Sequence, residues 1–325
     1  MKSAVYRYPL AVLICLIALG QSRVMAEERL EKKQEETFQF SPKGSLKLHN
    51  LSGPVKVIGW DRDQCEIKAV KSAPVRESAE KTRQILNQVT IEIKKSETGV
   101  EISTRYPDES LELKLEHDFG KDAPAESTGE ELGILGAWLG RLTTFISSLG
   151  TSLSNQMSLK MPVDVAYEIH VPARTDVTVN NASGDLELSG LDGNLQSNVA
   201  NGSVRLVKLN GKSMANTVNG EIIVENPGGI LKLNTINGQV QVALDEAYSV
   251  KEIYCNTVNG QVTLSLPGSA GASLDLSAVV GAIEVDDAFK FKGDETSKRV
   301  SGKLNDGGPL FKANVVNGGI RIKAM

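Results

Sequence analysis

The sequence predicts an all-β fold, a β-solenoid (β-helix) of ~18-residue coils with one short amphipathic helix and one apolar helical insertion. Three observations carry this. The signature Asn-Thr-Val/Ile-Asn-Gly occurs at 216–220, 234–238 and 256–260, with relaxed copies Asn198-Val-Ala-Asn201-Gly202 and Asn314-Val-Val-Asn317-Gly318. Gly184, Gly202, Gly220 and Gly238 fall 18 residues apart, and the next intervals, to Gly260 and Gly281, are 22 and 21. Both flanks of each glycine alternate apolar and polar, the strand period. A fixed short period with strand-like flanks is the signature of stacked repeats.

Two and four residues after each glycine sit Leu186/Leu188, Val204/Leu206, Ile222/Val224, Val240/Val242, Val262/Leu264 and Ile283/Val285. Polar residues separate them (Glu187, Arg205, Gln241, Thr263, Glu284), and Ile223 is the exception. A second inward set precedes each glycine by seven, five and three, as in Leu231/Leu233/Thr235 and Ile253/Cys255/Thr257. Each unit therefore reads as two short strands joined by an Asn-Gly corner. A hairpin meander also uses Asn-Gly, because both residues tolerate positive φ. Only a stack requires the same residues at the same offset, so Asn201, Gly202, Asn219, Gly220, Asn237, Gly238, Asn259, Gly260, Asn317 and Gly318 are expected as structural coil corners. Asparagine also recurs four residues before the glycine, where stacked amides can bond along the stack.

From the N-terminus, residues 1–26 read as a signal peptide with basic Lys2 and Arg7, an apolar run at 10–20 and small residues before cleavage after Ala26. Residues 27–37 read as a polar linker, and 38–325 as one solenoid domain. Leu46, Leu48 and Asn50 precede Gly53 with the repeat's own spacing, and Val55 and Val57 follow it, so this region reads as an earlier coil. An amphipathic helix is expected over 75–87, then strands around Val89/Ile91/Ile93, Val100/Ile102 and Leu111/Leu113/Leu115.

Residues 119–158 interrupt the rhythm. A polar loop precedes 132–153, which carries a single charge, Arg141. Leu135, Trp138, Leu139, Leu142, Phe145 and Ile146 fall on one helical stripe, which suits either membrane or partner contact or the covering of a sheet edge. A second break, 286–309, is expected to loop out before a last coil at 311–322.

The mature chain would carry 33 Lys+Arg against 40 Asp+Glu, a net charge of −7, with no basic stripe, which argues against nucleic-acid binding. Two cysteines remain, Cys65 and Cys255, and the inward position of Cys255 favours a buried thiol over a disulfide. Catalytic patterns are absent. There is no G-x-S-x-G elbow and no zinc spacing, and Asp61-Arg-Asp63 lacks the glycine and glutamate of a calcium loop. Glu116, His117 and Asp118 are adjacent and read as a solvated turn. The outward repeat positions form no column of carboxylates of the kind glycoside chemistry uses. No cofactor and no enzyme activity are expected.

The Gly53-Pro-Val-Lys-Val-Ile-Gly-Trp-Asp opening, the Tyr167-Glu-Ile-His-Val-Pro172 strand, the Asn-Gly coils and the Gly307-Gly-Pro-Leu…Val316-Asn-Gly-Gly-Ile-Arg-Ile ending resemble the bacterial "putative adhesin" family, a DUF4097-type β-strand-repeat domain. The resemblance spans roughly 38–325 and implies an exported solenoid without catalytic or ligand residues to carry over. The expected function is a non-enzymatic adhesion or envelope-interaction module in the periplasm, outer envelope or medium. Its partner would be a cell-surface, glycan or envelope protein component. The alternatives are an envelope-stress or scaffold component tethered to membrane through 132–153, and, more remotely, a carbohydrate-active β-helix enzyme.

Overall fold

The computed structural model describes residues 28–107, 163–245 and 249–325. The chain opens with β1 (Arg29–Gln39), β2 (Ser45–Ser52), β3 (Val55–Trp60) and β4 (Gln64–Pro74). Helix α1 (Ala79–Gln88) follows, then β5 (Thr90–Lys95), β6 (Gly99–Arg105) and β7 (Asp164–Pro172). The repeats proper are β8 (Asp176–Ser183) with β9 (Leu186–Ser189), β10 (Leu195–Asn201) with β11 (Val204–Val207), and β12 (Lys212–Asn219) with β13 (Ile222–Glu225). They continue as β14 (Gly228–Asn237) with β15 (Val240–Ala243), and β16 (Ser249–Asn259) with β17 (Val262–Leu266). The chain ends with β18 (Ala272–Val280), β19 (Ile283–Val285), the pair β20 (Phe291–Glu295) and β21 (Arg299–Leu304), and β22 (Leu310–Asn317) with β23 (Ile320–Ala324).

The described fold is nearly all-β, in two large sheets. Eleven strands run β1-β4-β7-β3-β9-β11-β13-β15-β17-β23-β19, and twelve run β20-β21-β18-β22-β16-β14-β12-β10-β8-β2-β6-β5. Each repeat gives the strand before its glycine to the twelve-stranded sheet and the strand after it to the eleven-stranded one. Neighbouring repeats pair in parallel with equivalent residues opposed, as in Asn198↔Asn216 and Val204↔Ile222. The two inward rows meet as one continuous core, in which Leu231, Leu233, Val240 and Val262 have no exposed surface. Each such buried aliphatic side chain contributes about 1.5–3 kcal/mol.

Layer order departs from chain order at both ends. The last layer, β22/β23, lies between β16/β17 and β18/β19 instead of stacking outermost. The reason lies in the residues at the layer faces. Asn314 and Asn317 continue the asparagine columns of β16, whereas β18 presents Ser277 and Val280 at those positions. Stacking in chain order would place an Asn-poor layer inside the columns. The segment 286–309, expected as a loop, instead forms the antiparallel pair β20–β21, which extends the sheet beyond β18. Its Lys298 ammonium sits 2.5 Å from the carbonyl oxygen of Gly281 and closes that end of the glycine column.

At the other end, the stretch read as a polar linker is mostly β1, paired antiparallel with β4 along its whole length. Charges on both of its faces, Lys32 and Glu36 on the side of Leu30 and Phe38 and Lys33 and Glu35 on the other, disguised it as a linker, and such charges protect an edge strand from pairing with other chains. The charge pattern also fixes register. Glu35, Lys68, Glu168, Lys56, Glu187 and Arg205 stand directly opposite one another on six successive strands, alternating in sign. Lys56 and Glu187 close to 3.0 Å. A slip of one residue would turn this row into the core.

The helix expected over 75–87 starts later, at Ala79, because Ser78 caps it, accepting from the Lys81 amide at 3.2 Å. Thr82 and Leu86 are its buried residues. Buried Lys71 donates to the carbonyls of Leu86 and Val89 at 2.9 and 2.6 Å, satisfying acceptors at the helix C-terminus with a favourable charge.

Cys65 and Cys255 are free and buried. Burial pushes the Cys65 thiol up to about 12 and the Cys255 thiol further in the same direction. Both should be silent towards a thiol reagent such as DTNB in the folded protein and react fully once guanidinium unfolds it. Rapid labelling of the native chain would contradict this core.

Candidate functional site: two asparagine ladders and a glycine column

Stacking identical corners brings identical side chains together, and asparagine can both donate and accept. The first ladder uses the asparagine four residues before each glycine. Asn198 Nδ2 donates to Asn180 Oδ1 at 2.8 Å, Asn216 to Asn198 at 2.8 Å and Asn234 to Asn216 at 2.8 Å. Asn256 then donates to Asn234 at 2.9 Å and Asn314 to Asn256 at 3.0 Å. All five bonds share one polarity. The row ends on His49 of β2, which stands at the ladder's own offset, four residues before Gly53, without being asparagine, and whose Nδ1 lies 3.3 Å from Asn180 Nδ2. Asn180 and His49 are direct register partners, a pairing visible only once β2 is known to lie beside β8.

The expected corner residues form the second ladder. Asn219 donates to Asn201 at 2.9 Å, Asn237 to Asn219 at 2.9 Å, Asn259 to Asn237 at 2.8 Å and Asn317 to Asn259 at 2.9 Å. These five are exposed, whereas Asn180, Asn198 and Asn234 of the first ladder are buried.

The glycines Gly202, Gly220, Gly238, Gly260 and Gly318 run in single file. A Cβ on Gly202 would come 2.3 Å from the Gly184 carbonyl oxygen, and one on Gly220 2.1 Å from that of Gly202. At Gly238, Gly260 and Gly318 the corresponding separations are 1.9, 1.8 and 1.8 Å. The column therefore demands glycine for room, beyond any demand from φ.

Inside the corner runs a polar row that the alternation pattern had counted only as inward. Thr217, Thr235 and Thr257 donate to the carbonyls of Gly202, Gly220 and Gly238 at 3.3, 3.2 and 3.3 Å. In the first layers asparagine takes this place. Fully buried Asn50 donates to the Ser52, Gly53 and Val165 carbonyls and accepts from Thr104 Oγ1 at 2.9 Å. Because the Thr104 hydroxyl proton is thus committed, Tyr167 donates to Thr104 across their 2.7 Å contact. Asn50 and its partners satisfy buried backbone oxygens that would otherwise be costly. The sequence signal was there, as polar residues at an inward position.

Titratable groups also gather on the outer face of β3, β7 and β4. The Trp60 and His170 rings are 5.1 Å apart, and the Arg62 guanidinium lies 5.0 Å from the Trp60 ring centroid. Trp60 donates to the Gln64 carbonyl at 2.9 Å. Beside them, the Lys68 ammonium 2.5 Å from Glu66 holds that carboxyl below its usual range. The indole is thus flanked by its own neighbours and the carboxylate is matched by a lysine, an arrangement that orders the end of the sheet. Asp61 and Asp63 lie in the turn between β3 and β4.

Among the described residues, no group of three or more His, Cys, Asp or Glu is placed to hold a metal ion, and no helix is long and apolar enough to cross a membrane. Leu135, Trp138, Leu139, Leu142, Phe145 and Ile146, expected as a membrane or partner contact, lie outside the described residues, as do Glu116, His117, Asp118 and the signal segment.

A family model described as Toastrack DUF4097 matches residues 45–323. No curated protein matches the chain. Among solved structures, the chain is similar to a putative cell adhesion protein from Clostridium sporogenes, at 13% identity and a TM-score of 0.35, over 90% of this chain and 100% of that one. It is similar to a putative adhesin from Bacteroides fragilis at 8% identity and a TM-score of 0.36, over 90% and 97%. A putative lipid binding protein from Parabacteroides distasonis matches at 10% identity and a TM-score of 0.34, over 90% and 96%.

Proposed function

The chain belongs to the Toastrack DUF4097 family, and we propose that it is a non-enzymatic, exported β-solenoid that serves as an adhesion or envelope-interaction module. What supports the solenoid reading is the shared register of the two sheets, with the same residues opposed layer after layer on both. The single observation that carries the binding reading is the outer surface of the twelve-stranded sheet. The exposed corner ladder, Asn201 to Asn317, runs along its edge, each inner amide using one donor and one acceptor on its neighbours and keeping further capacity for a partner, while the first ladder beside it is largely buried. Charges on the other sheet stand in opposed pairs of alternating sign, which suits a rigid presenting surface better than general acid–base work.

The test is retention of the purified mature chain, residues 27–325, on envelope fractions, on intact cells and on an immobilised glycan panel. Saturable binding to one of these is expected, with no turnover of the bound component. Absence of binding to all three would overturn the reading, and release of shortened glycan products would replace it with the enzymatic one.

A further inference from the structure

The first ladder has two hydrogen-bonded arrangements of equal count, and one residue at its foot distinguishes them. As it stands, every amide donates towards β2, and the last donor, Asn180 Nδ2, is received by His49 Nδ1. That requires a neutral imidazole protonated on Nε2, since only an unprotonated ring nitrogen accepts. Reversing all six amides gives an equally complete ladder in which each donates away from β2. Asn180 Oδ1 would then face His49, and Asn314 Nδ2 would face its register partner on β18, Ser277. A hydroxyl donates or accepts as required, so that end fits either direction.

We propose that protonation of His49 reverses the polarity of the asparagine ladder from Asn180 to Asn314, making this face of the protein a proton-operated switch. A protonated ring presents N–H at Nδ1, opposed to the N–H of Asn180. Turning Asn180 over satisfies His49 but sets the Asn180 and Asn198 donors against each other, and the conflict passes up the row until Asn314 has turned. The order of donors and acceptors is thereby exchanged from Asn180 to Asn314, over five strand spacings, about 24 Å.

The surroundings set where this happens. Burial lowers the His49 pKa from its ordinary 6.5. Glu101 on β6 opposes that, while Lys47 on β2 and Arg105 on β6 reinforce it. Further along the same side, β5 places Glu92 against Arg105 at 3.3 Å and Lys94 opposite Glu101. On the other side β8 presents Thr178 and Asn180, neither of which titrates. The sign follows from linkage. With a depressed folded value the unfolded chain binds more protons, so His49 contributes stability above pH 6.5 that is lost as pH falls through the folded pKa.

The experiment is a pH titration of the full mature chain, labelled with nitrogen-15 and followed by NMR through the side-chain amides of the ladder and the His49 ring. The six amide pairs are expected to shift together, with one midpoint equal to that of His49 and below 6.5. In His49→Asn, which ends the ladder on a group that does not titrate, the shifts should vanish. Asn216→Val, which cuts the row, should confine them to Asn180 and Asn198. Titration of His49 with Asn234, Asn256 and Asn314 unmoved overturns the proposal. So does the same response in His49→Asn, or a response at Asn256 in Asn216→Val. The wild-type titration decides even if neither variant folds.

Discussion

Gly238→Ala should leave almost no folded protein, with destabilisation of about 4 kcal/mol or more, at the extreme of single substitutions. The added methyl would sit 1.9 Å from the Gly220 carbonyl oxygen and 3.0 Å from Thr235 Oγ1. The carbonyl is backbone, in a strand pair whose register is held on both sides, so it cannot swing away as a side-chain tip would. Relief requires opening the bond from the Gly220 amide to the Asn237 carbonyl, 3.1 Å long, or parting the layers that it joins. Gly268→Ala supplies the comparison, because a Cβ there meets nothing within 4 Å. Urea denaturation of the two variants, beside the parent chain, separates a steric column from a general intolerance of alanine. A Gly238→Ala midpoint close to that of Gly268→Ala would remove the column from the account of stability.

The same column explains why so much of the fold was legible and where legibility stopped. Glycine at an 18-residue step, with asparagine before it and alternation on either side, encodes the corner and both strands at once. It does not encode which layer touches which, because corners that stack on any neighbour carry no address. The insertion of β22/β23 between β16/β17 and β18/β19 is an example. The information that decides it is an absence in β18, where Ser277 and Val280 replace the two ladder asparagines. The hairpin β20–β21 was hidden for another reason. Its strands carry Lys292, Asp294, Arg299 and Lys303 on largely exposed positions, and glycine at 293 and 302, so neither alternation nor β propensity marks it. His49 was invisible as a ladder residue because it shares position but not chemistry with the asparagines, and its role follows from three-dimensional pairing with Asn180.

The two ladders look alike in sequence but should differ sharply when cut, because burial decides what a lost amide costs. Asn234→Ala removes the acceptor of Asn256 Nδ2 and the donor to Asn216 Oδ1, in a row where Asn234 itself is 8% exposed. Two polar groups, on half-buried Asn216 and Asn256, lose their partners beside the buried gap, and each such group costs about 1–3 kcal/mol. The expected loss is therefore about 3 kcal/mol. Asn237→Ala breaks two bonds of the same length and type, to Asn219 and from Asn259, on an exposed edge. Water replaces both partners there, so the loss should stay near 1 kcal/mol, the net worth of an ordinary hydrogen bond. Both substitutions remove the same atoms from one strand, three residues apart, so changes in the unfolded chain largely cancel in the comparison. Chemical denaturation of the pair thus measures how far the first ladder is shielded. Equal losses would show that solvent reaches both rows alike at this level of the stack.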